Sequence, residues 1–164
     1  MQFRKGSGTV PRFLNLLTES DMNAQPTILI VDDDEGHAIL IRENLEAAGL
    51  SNRIRHFRDG QAILDFFFKD RPAPGDAFLV LLDIRMPKID GIEVLRRLRS
   101  DAALRKLPII MLTTTDDTRE VERCYELGCN GYIQKPVDYE RFADAIRRLG
   151  WFVPLLLVPP VGAG

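Results

Sequence analysis

Cysteine, histidine and tryptophan are scarce in this sequence, which has two cysteines, two histidines and one tryptophan among 164 residues. Cys124 and Cys129 lie close together without a histidine beside them in the sequence. This spacing favours neither a disulfide framework nor a zinc site. We therefore expect both thiols to be reduced and structural, as in a cytoplasmic protein.

A strong excess of charge and a long apolar run are also missing. The net charge is -2 and the isoelectric point is about 5.7, which gives no overall basis for binding nucleic acid or an anionic membrane. The basic N-terminus reaches the acidic residues 19–21 without the apolar core of a secretion signal, and prolines interrupt the apolar residues 151–161. We expect a cytoplasmic protein that binds neither nucleic acid nor membrane.

The length and the apolar content fit one domain with tails. With 45% hydrophobic and 28% charged residues, the chain can bury one core but is short for two ordinary domains. We divide it into an N-terminal extension (1–26), a domain (27–149) and an apolar C-terminal arm (150–164). Met22 lies just before the first predicted strand, so residues 1–21 are a candidate for a dispensable extension or a misassigned start.

Between Thr27 and Leu149, short β-branched runs alternate with segments of helical periodicity. The predicted strands are 27–31, 53–57, 78–82, 108–113 and 131–134, and the predicted helices are 37–48, 60–69, 92–99, 118–127 and 139–149. Asp59 and Asp138 suit helix N-caps, and Gly49 and Gly128 suit helix C-termini. The alternation predicts an α/β fold, a doubly wound five-stranded parallel sheet with five helices.

Polar residues follow the predicted strands at the edge where such folds bind ligands. Asp32 and Asp33 follow the first strand and Asp83 ends the apolar run 78–82, while Thr113 and Lys135 end or follow the fourth and fifth. Close carboxylates repel each other by roughly 4 kcal/mol per pair at an effective dielectric near 20. A hard divalent cation would relieve this repulsion, so the pattern indicates a Mg²⁺ site.

The same residues suit phosphoryl chemistry. A magnesium ion at such a site keeps a position for a phosphoryl oxygen, and Lys135 and the Thr113 hydroxyl could bind two others. Asp83 is then available as a nucleophile that forms an acyl phosphate.

These motifs together resemble the response regulator receiver domain of two-component signalling. The resemblance covers residues 27–149 and lies in the pair Asp32–Asp33, the run from Asp83 through Met86–Pro87 to Asp90–Gly91, Thr113, and Tyr132 before Lys135–Pro136. It implies a flavodoxin-like receiver fold. It also implies a phosphoacceptor protein, with Mg²⁺-dependent self-phosphorylation from phosphodonors and autodephosphorylation, in place of an enzyme with a separate substrate.

The resemblance also assigns roles to single residues. Asp83 accepts a phosphoryl group from a histidine kinase, Asp33 and Asp83 ligate Mg²⁺, Asp32 assists through water, and the Arg85 carbonyl completes the metal shell. Thr113 and Tyr132 form a switch pair. Arg85 and Thr115 occupy positions that affect access of the hydrolytic water, although the sequence leaves the direction of the effect open.

Residues 57–60, residues 64–67 and the aromatic tail resemble the small response regulators paired with bacterial phytochromes. This narrower resemblance implies a light-sensing histidine kinase as phosphodonor and a C-terminal segment that contributes to dimerisation. An apolar arm of this kind usually marks an interface, so we expect a homodimer formed through the arm.

Two other functions are open on the sequence. An aspartate-nucleophile phosphatase would place a second aspartate two residues after the nucleophile, where this chain has Arg85. A flavodoxin-like cofactor binder would need a phosphate-binding loop after the first strand, where this chain is acidic. We expect Asp34 to be a helix-start or solvated carboxylate that does not bind metal, and His37 and His56 to be structural or surface residues.

Overall fold

Five parallel strands form one sheet in the computed structural model, which describes residues 25–156 and 158–162. The strands are β1 (Thr27–Val31), β2 (Ile54–Phe57), β3 (Phe78–Leu82), β4 (Ile109–Thr113) and β5 (Gly131–Gln134). They lie in the order β2-β1-β3-β4-β5. The predicted strands are confirmed to within one residue at each end, and so is the doubly wound parallel sheet.

Helices connect the strands. They are α1 (Glu35–Ala47), α2 (Gly60–Asp65, continued by a π-helical turn at Phe66–Asp70), α3 (Gly91–Ser100), α4 (Thr118–Glu126) and α5 (Tyr139–Phe152, followed by a 3₁₀ turn at Val153–Leu155). Within the described ranges, none of the helices combines the length and the apolar character needed to cross a membrane. Residues 1–24 of the predicted N-terminal extension (1–26) lie outside the described residues.

The central strand β3 is buried on both faces because helices cover both sides of the sheet. Phe78, Val80 and Leu82 pack in the layer that includes α2, α3 and α4, whereas Leu79 and Leu81 pack in the layer that includes α1 and α5. This burial explains why β3 reads as an uninterrupted apolar run. Connections leave β1 and β3 toward opposite faces of the sheet, and a crevice opens at the carboxyl ends of these two neighbouring strands.

The predicted helix ends agree with the structure to within two residues except at the C-terminus of α5. Asp59 and Asp138 cap α2 and α5 by accepting backbone hydrogen bonds, and Gly49 and Gly128 have φ values of 94° and 95°. Helix α5, however, continues three residues beyond the predicted end at Leu149. Gly150 does not end this helix. It is buried where α5 meets α1, and a Cβ atom there would lie 2.7 Å from that of Ala48.

Parts of the C-terminal arm pack on their own domain. Val153 is buried, and Leu156 packs against the core layer of α1 and α5. Farther along, the Val161 amide donates to the Asp76 carbonyl at 2.8 Å, and the Gly75 amide donates to the Val161 carbonyl at 3.3 Å. The arm thus returns to the loop that precedes β3.

Gly91 shows how tightly the loop after β3 is held. A Cβ atom on this residue would lie 2.1 Å from the carbonyl oxygen of Asp83, and the Gly91 amide donates to the Ile84 carbonyl at 2.9 Å. The obstruction is backbone, which cannot move aside as a flexible side chain could. Glycine at this position lets the start of α3 fold directly against Asp83.

We expect Gly91→Ala to lower the free energy of unfolding by about 1–3 kcal/mol or more, because overpacking against backbone forces a local rearrangement. Urea unfolding measures this loss. Gly131→Ala is the matched control, since its Cβ would have only ordinary contacts from 3.7 Å. Equal stability of the two variants would show that the loop tolerates the displacement.

Candidate functional site

The carboxylates of Asp32 and Asp83 meet because their strands are neighbours in register. Val31 pairs with Leu82, so the next residue on each strand leaves the sheet at the same level. The Asp83 amide donates to the Val31 carbonyl at 2.9 Å, which holds the two strand ends together. Asp32 and Asp83 are both buried, with 2% and 8% of their surfaces exposed.

Asp33 completes a cluster of three carboxylates. Ligand oxygens of Asp32, Asp33 and Asp83 lie within 4.8 Å of one another, and Asp33 is the exposed member. Two buried anions and one exposed anion at this spacing repel each other strongly unless a cation lies among them. The sequence prediction that these three side chains come together agrees with this geometry.

Lys135 supplies the positive charge in the structure. Its Nζ atom lies 2.5 Å from Oδ2 of Asp32 and 3.4 Å from Oδ2 of Asp83, and its side chain is almost completely buried. The lysine follows β5 at the sheet edge and is placed by a hydrogen bond from its amide to the Thr113 carbonyl at 2.7 Å. The ammonium group therefore bridges the two buried carboxylates and is closer to Asp32.

His37 is the third partner of Lys135, a contact that the sequence did not indicate. Nδ1 of His37 lies 3.2 Å from Lys135 Nζ, and its ring packs edge-on against Phe142. The same Nδ1 atom also lies 3.6 Å from Oδ2 of Asp32, so the imidazole faces both members of the buried ion pair. The available signal was its place in the first turn after β1, because that turn faces the crevice.

Burial gives Asp83 an unusual proton affinity. Its pKa is raised above the ordinary value, first because burial disfavours the charged form and further because Asp32 is close, although Lys135 acts in the opposite direction. The carboxylate is therefore poorly solvated, with one nearby ammonium group to balance it. Such an oxygen gains from any added cation and can serve as a nucleophile.

Thr113 and Tyr132 lie beside this cluster on the last two strands. Thr113 is fully buried at the end of β4. The Tyr132 hydroxyl donates to the Thr115 carbonyl at 3.3 Å, and burial raises the pKa of Tyr132 to about 12. The tyrosine ring is thus half-buried and attached to the loop that leads from β4 to α4.

The Arg85 side chain pairs with a glutamate on α4. Its Nη2 atom lies 2.7 Å from Oε1 of Glu120 on α4, so the guanidinium links the loop after β3 to that helix. The carbonyl role expected for Arg85 concerns its backbone and remains a prediction. Asp34 caps α1 by accepting the His37 amide at 3.0 Å, as predicted for a helix start.

The donor set fits a hard divalent cation. Carboxylate oxygens are the ligands that Mg²⁺ prefers, and two or three of them with several waters make a usual Mg²⁺ site. Asp33 is exposed and open to such an ion, whereas Oδ2 of Asp32 is already bound by Lys135. The three carboxylates could together hold the ion, and direct ligation by Asp33 and Asp83 remains a prediction.

Comparison with known proteins gives the family. Residues 28–147 match the family model of the response regulator receiver domain. A solved response regulator receiver domain from Rhodospirillum rubrum is 46% identical, with a TM-score of 0.78, and the match covers 82% of this chain and 98% of that one.

Two further solved structures concern regulators with bound metal or phosphorylation. The Mn²⁺-bound form of response regulator Rcp1 is 27% identical with a TM-score of 0.74, and the match covers 82% of this chain and 99% of that one. The phosphorylated cyanobacterial phytochrome response regulator RcpA is 26% identical with a TM-score of 0.75, and the match covers 83% and 99%. The alternation, the strand order and these likenesses all indicate one fold.

We expect Asp83→Asn to stabilise the metal-free protein at neutral pH by about 1 kcal/mol, a common size for one substitution. A raised folded-state pKa gives Asp83 stability that is fully present below the unfolded value of 3.8 and lost as the pH rises through the folded value. The free energy of unfolding of Asp83→Asn should therefore exceed that of the wild type by an amount that increases from about pH 3 to pH 7. Urea unfolding without divalent cations measures it.

Asp59→Asn is the matched control with the opposite sign. The Ala62 amide and then Lys88 lower the pKa of Asp59, so its stabilising effect is present above the unfolded value and lost as the pH falls. The free energy of unfolding of Asp59→Asn should therefore fall relative to that of the wild type as the pH rises. Parallel pH trends for the two variants would contradict the assignment of a destabilised carboxylate to Asp83.

Proposed function

This chain belongs to the response regulator receiver domain family, and we propose that it accepts a phosphoryl group from a histidine kinase on Asp83 and signals through protein contacts. The observation that carries the proposal is the buried Asp83 carboxylate, which shares one pocket with Asp32, Asp33 and Lys135. A structural carboxylate at a strand end would not need this surrounding charge.

The transfer itself requires little of the protein beyond position and charge. An Oδ atom of Asp83 attacks phosphorus and forms the new O–P bond, the P–N bond to the kinase imidazole breaks, and the imidazole nitrogen takes up a proton. Lys135 can shift from the carboxylates toward a phosphoryl oxygen, and the Thr113 hydroxyl can bind another. The buried lysine then neutralises part of the charge that arrives.

Mg²⁺ belongs to this proposal. Asp33 and Asp83 would ligate it directly, Asp32 would act through water, and the Arg85 carbonyl would complete the shell. When bound, the ion supplies charge neutralisation for the phosphoryl group. Asp32 and Lys135 hold the pocket together without it, because their close ion pair balances one buried anion.

Thr113 and Tyr132 are the proposed switch. If the Thr113 hydroxyl moves toward a phosphoryl group, the loop that follows it must move as well. The Tyr132 hydroxyl is bonded to that loop at Thr115, so the ring position depends on where the loop lies. The half-buried tyrosine would thus report phosphorylation at the surface between β5 and α4.

A phytochrome-type histidine kinase is the proposed phosphodonor. The solved relative RcpA is a phytochrome response regulator, and the sequence resemblance to that group includes residues 57–60 and 64–67. We place the signalling in the cytoplasm, in keeping with the two cysteines, which are free and buried.

We expect the protein to gain the mass of one phosphoryl group when it is incubated with acetyl phosphate and Mg²⁺. Intact-mass spectrometry measures the gain, and Asp83→Asn is the control that should gain none. A chelator of divalent cations should suppress it, because two or more acidic ligands lose their ion. Mass gain in the asparagine variant, or its absence in the wild type, would refute the proposal.

The same sample tests the phosphatase alternative. A phosphatase would hydrolyse a chromogenic phosphate ester rapidly and over many turnovers, whereas a receiver, which must lose its own phosphoryl group slowly between cycles, should show a far lower steady-state rate. Sustained turnover that depends on Asp83 would favour the enzyme. The cation Arg85 at the position where a phosphatase places its acid favours the receiver.

We also propose a homodimer whose contact includes the end of α5. Trp151, Phe152 and Leu155 are 62%, 54% and 74% exposed and lie within five residues of one another. Large exposed aromatic side chains are typical of interface centres. Val153 and Val161 pack inward on the domain, whereas Trp151, Phe152 and Leu155 are the large apolar side chains that are exposed among the described residues of the arm.

We expect the double variant Trp151→Ser, Leu155→Ser to weaken dimerisation by roughly 30-fold or more, the effect of losing about 2 kcal/mol at an interface centre. Sedimentation velocity over a concentration series measures it. Truncation after Gly150 would be a poor test because it removes the buried Val153. Ile39→Ser on α1, where the side chain is 50% exposed, is the control. A wild-type monomer, or a variant that remains dimeric, would exclude this contact.

A further inference from the structure

The ion pair between Arg85 and Glu120 joins the phosphoacceptor loop to helix α4. Arg85 lies two residues after Asp83 and is 66% exposed at its side chain, whereas the Glu120 side chain is only 20% exposed. The two residues are 35 positions apart in sequence, so the pair depends on the fold. The arginine is therefore the more solvent-exposed partner, and the glutamate is the more enclosed one.

Glu120 depends on this contact. Its second oxygen, Oε2, is buried and has no hydrogen-bond partner among the described residues. A mostly buried carboxylate with a single donor is costly to leave unpaired. If Arg85 moved away, Glu120 would need water or a change in the position of α4 to recover a partner.

A phosphoryl group on Asp83 would compete for the same arginine. It carries close to two negative charges and three acceptor oxygens, and guanidinium groups bind phosphate oxygens in pairs. Glu120 offers Arg85 one short hydrogen bond, at 2.7 Å. Arg85 therefore has two alternative anions, one on α4 and one that exists only after phosphorylation.

We propose that Glu120 is a positioning residue that holds Arg85 away from the phosphoryl group on Asp83 and thereby shortens the lifetime of the acyl phosphate. The inference rests on the proposed phosphorylation of Asp83. Hydrolysis requires that water attack phosphorus while the P–Oδ bond breaks, which restores the Asp83 carboxylate and releases inorganic phosphate with the water proton passing to solvent. If the Arg85 guanidinium bound the phosphoryl oxygens, it would block part of the path by which water reaches phosphorus. The ion pair with Glu120 holds the guanidinium away from that path.

The competition must act in both directions. The Arg85–Glu120 contact weakens the binding of Arg85 to the phosphoryl group. By linkage, phosphorylation weakens the Arg85–Glu120 contact by the same free energy, and so loosens α4 from the loop after β3. The Tyr132 hydroxyl is bonded to the loop just before α4. The ion pair would thus link the lifetime of the phosphoryl group to the position of the helix beside the switch tyrosine.

A double-mutant cycle tests the proposal. Wild type, Glu120→Gln, Arg85→Gln and the double variant are phosphorylated with acetyl phosphate and Mg²⁺, the phosphodonor is removed, and loss of the phosphoryl mass is followed over time. We expect Glu120→Gln to slow dephosphorylation about fivefold, the rate effect of roughly 1 kcal/mol for one partly exposed charge contact. In the Arg85→Gln background the same substitution should change the rate by less than about twofold.

Controls separate positioning from general damage. Glu122→Gln removes an exposed carboxylate from the same helix and should leave the rate unchanged. Urea unfolding should show that each variant is folded. A Glu120→Gln effect of equal size with and without Arg85, or no effect, would overturn the proposal.

Hydrogen exchange gives an independent readout. Beryllofluoride with Mg²⁺ should speed amide exchange in residues 118–126 of the wild type, and Arg85→Gln should show the faster exchange without it. Unchanged exchange in the variant would also refute the proposal. Failure of every variant to take up a phosphoryl group would refute the proposed function instead, so the two results are distinguishable.

Discussion

Two buried carboxylates at the ends of adjacent strands are the constraint on which this molecule depends. Register places Asp32 and Asp83 at the same level, and both are almost fully enclosed. The fold tolerates them because Lys135 reaches across from the sheet edge and contacts both. This arrangement is balanced for Asp32 but incomplete for Asp83, whose pKa is raised despite the lysine. Asp83 is therefore the buried carboxylate that gains most from an added cation, which connects a cost in folding to a capacity for chemistry.

The sheet order determines which residues can share the pocket. Because β1 lies between β2 and β3, the acidic residues after β1 meet the carboxylate after β3, while β4 brings its terminal threonine beside them. Gly91 then lets the chain turn directly against the backbone of Asp83. A bulkier residue would move α3 away from the pocket. The backbone around Asp83 is thus held on both sides, by its pairing with β1 and by the close approach of Gly91.

The sequence predicted the elements well because their signals are local. Strand positions follow from β-branched runs, and helix starts follow from Asp59 and Asp138, each of which acts within three residues. The clustering of Asp32, Asp33, Asp83 and Lys135 also followed, since parallel topology brings strand ends to one edge. The partners of His37 and Arg85 did not follow, because each contact joins residues far apart in sequence and depends on the angle at which a helix packs. The continuation of α5 beyond Leu149 did not follow either, because Gly150 packs closely on α1, a contact that local sequence signals cannot reveal.

One electrostatic principle connects the pocket with its surroundings. Lys135 forms an ion pair with Asp32, and Arg85 forms one with Glu120, so both cations already have an anionic partner. A phosphoryl group brings more charge than either carboxylate and can draw both cations toward itself. Movement of the two cations would have different consequences. If Lys135 left Asp32, that carboxylate would keep its hydrogen bond from the Asp34 amide and could face a metal ion. If Arg85 left Glu120, that carboxylate would have no other donor among the described residues. Redistribution of positive charge would therefore leave the pocket stable and place the unpaired carboxylate on α4. We therefore expect α4 to be the helix whose position or stability changes on phosphorylation.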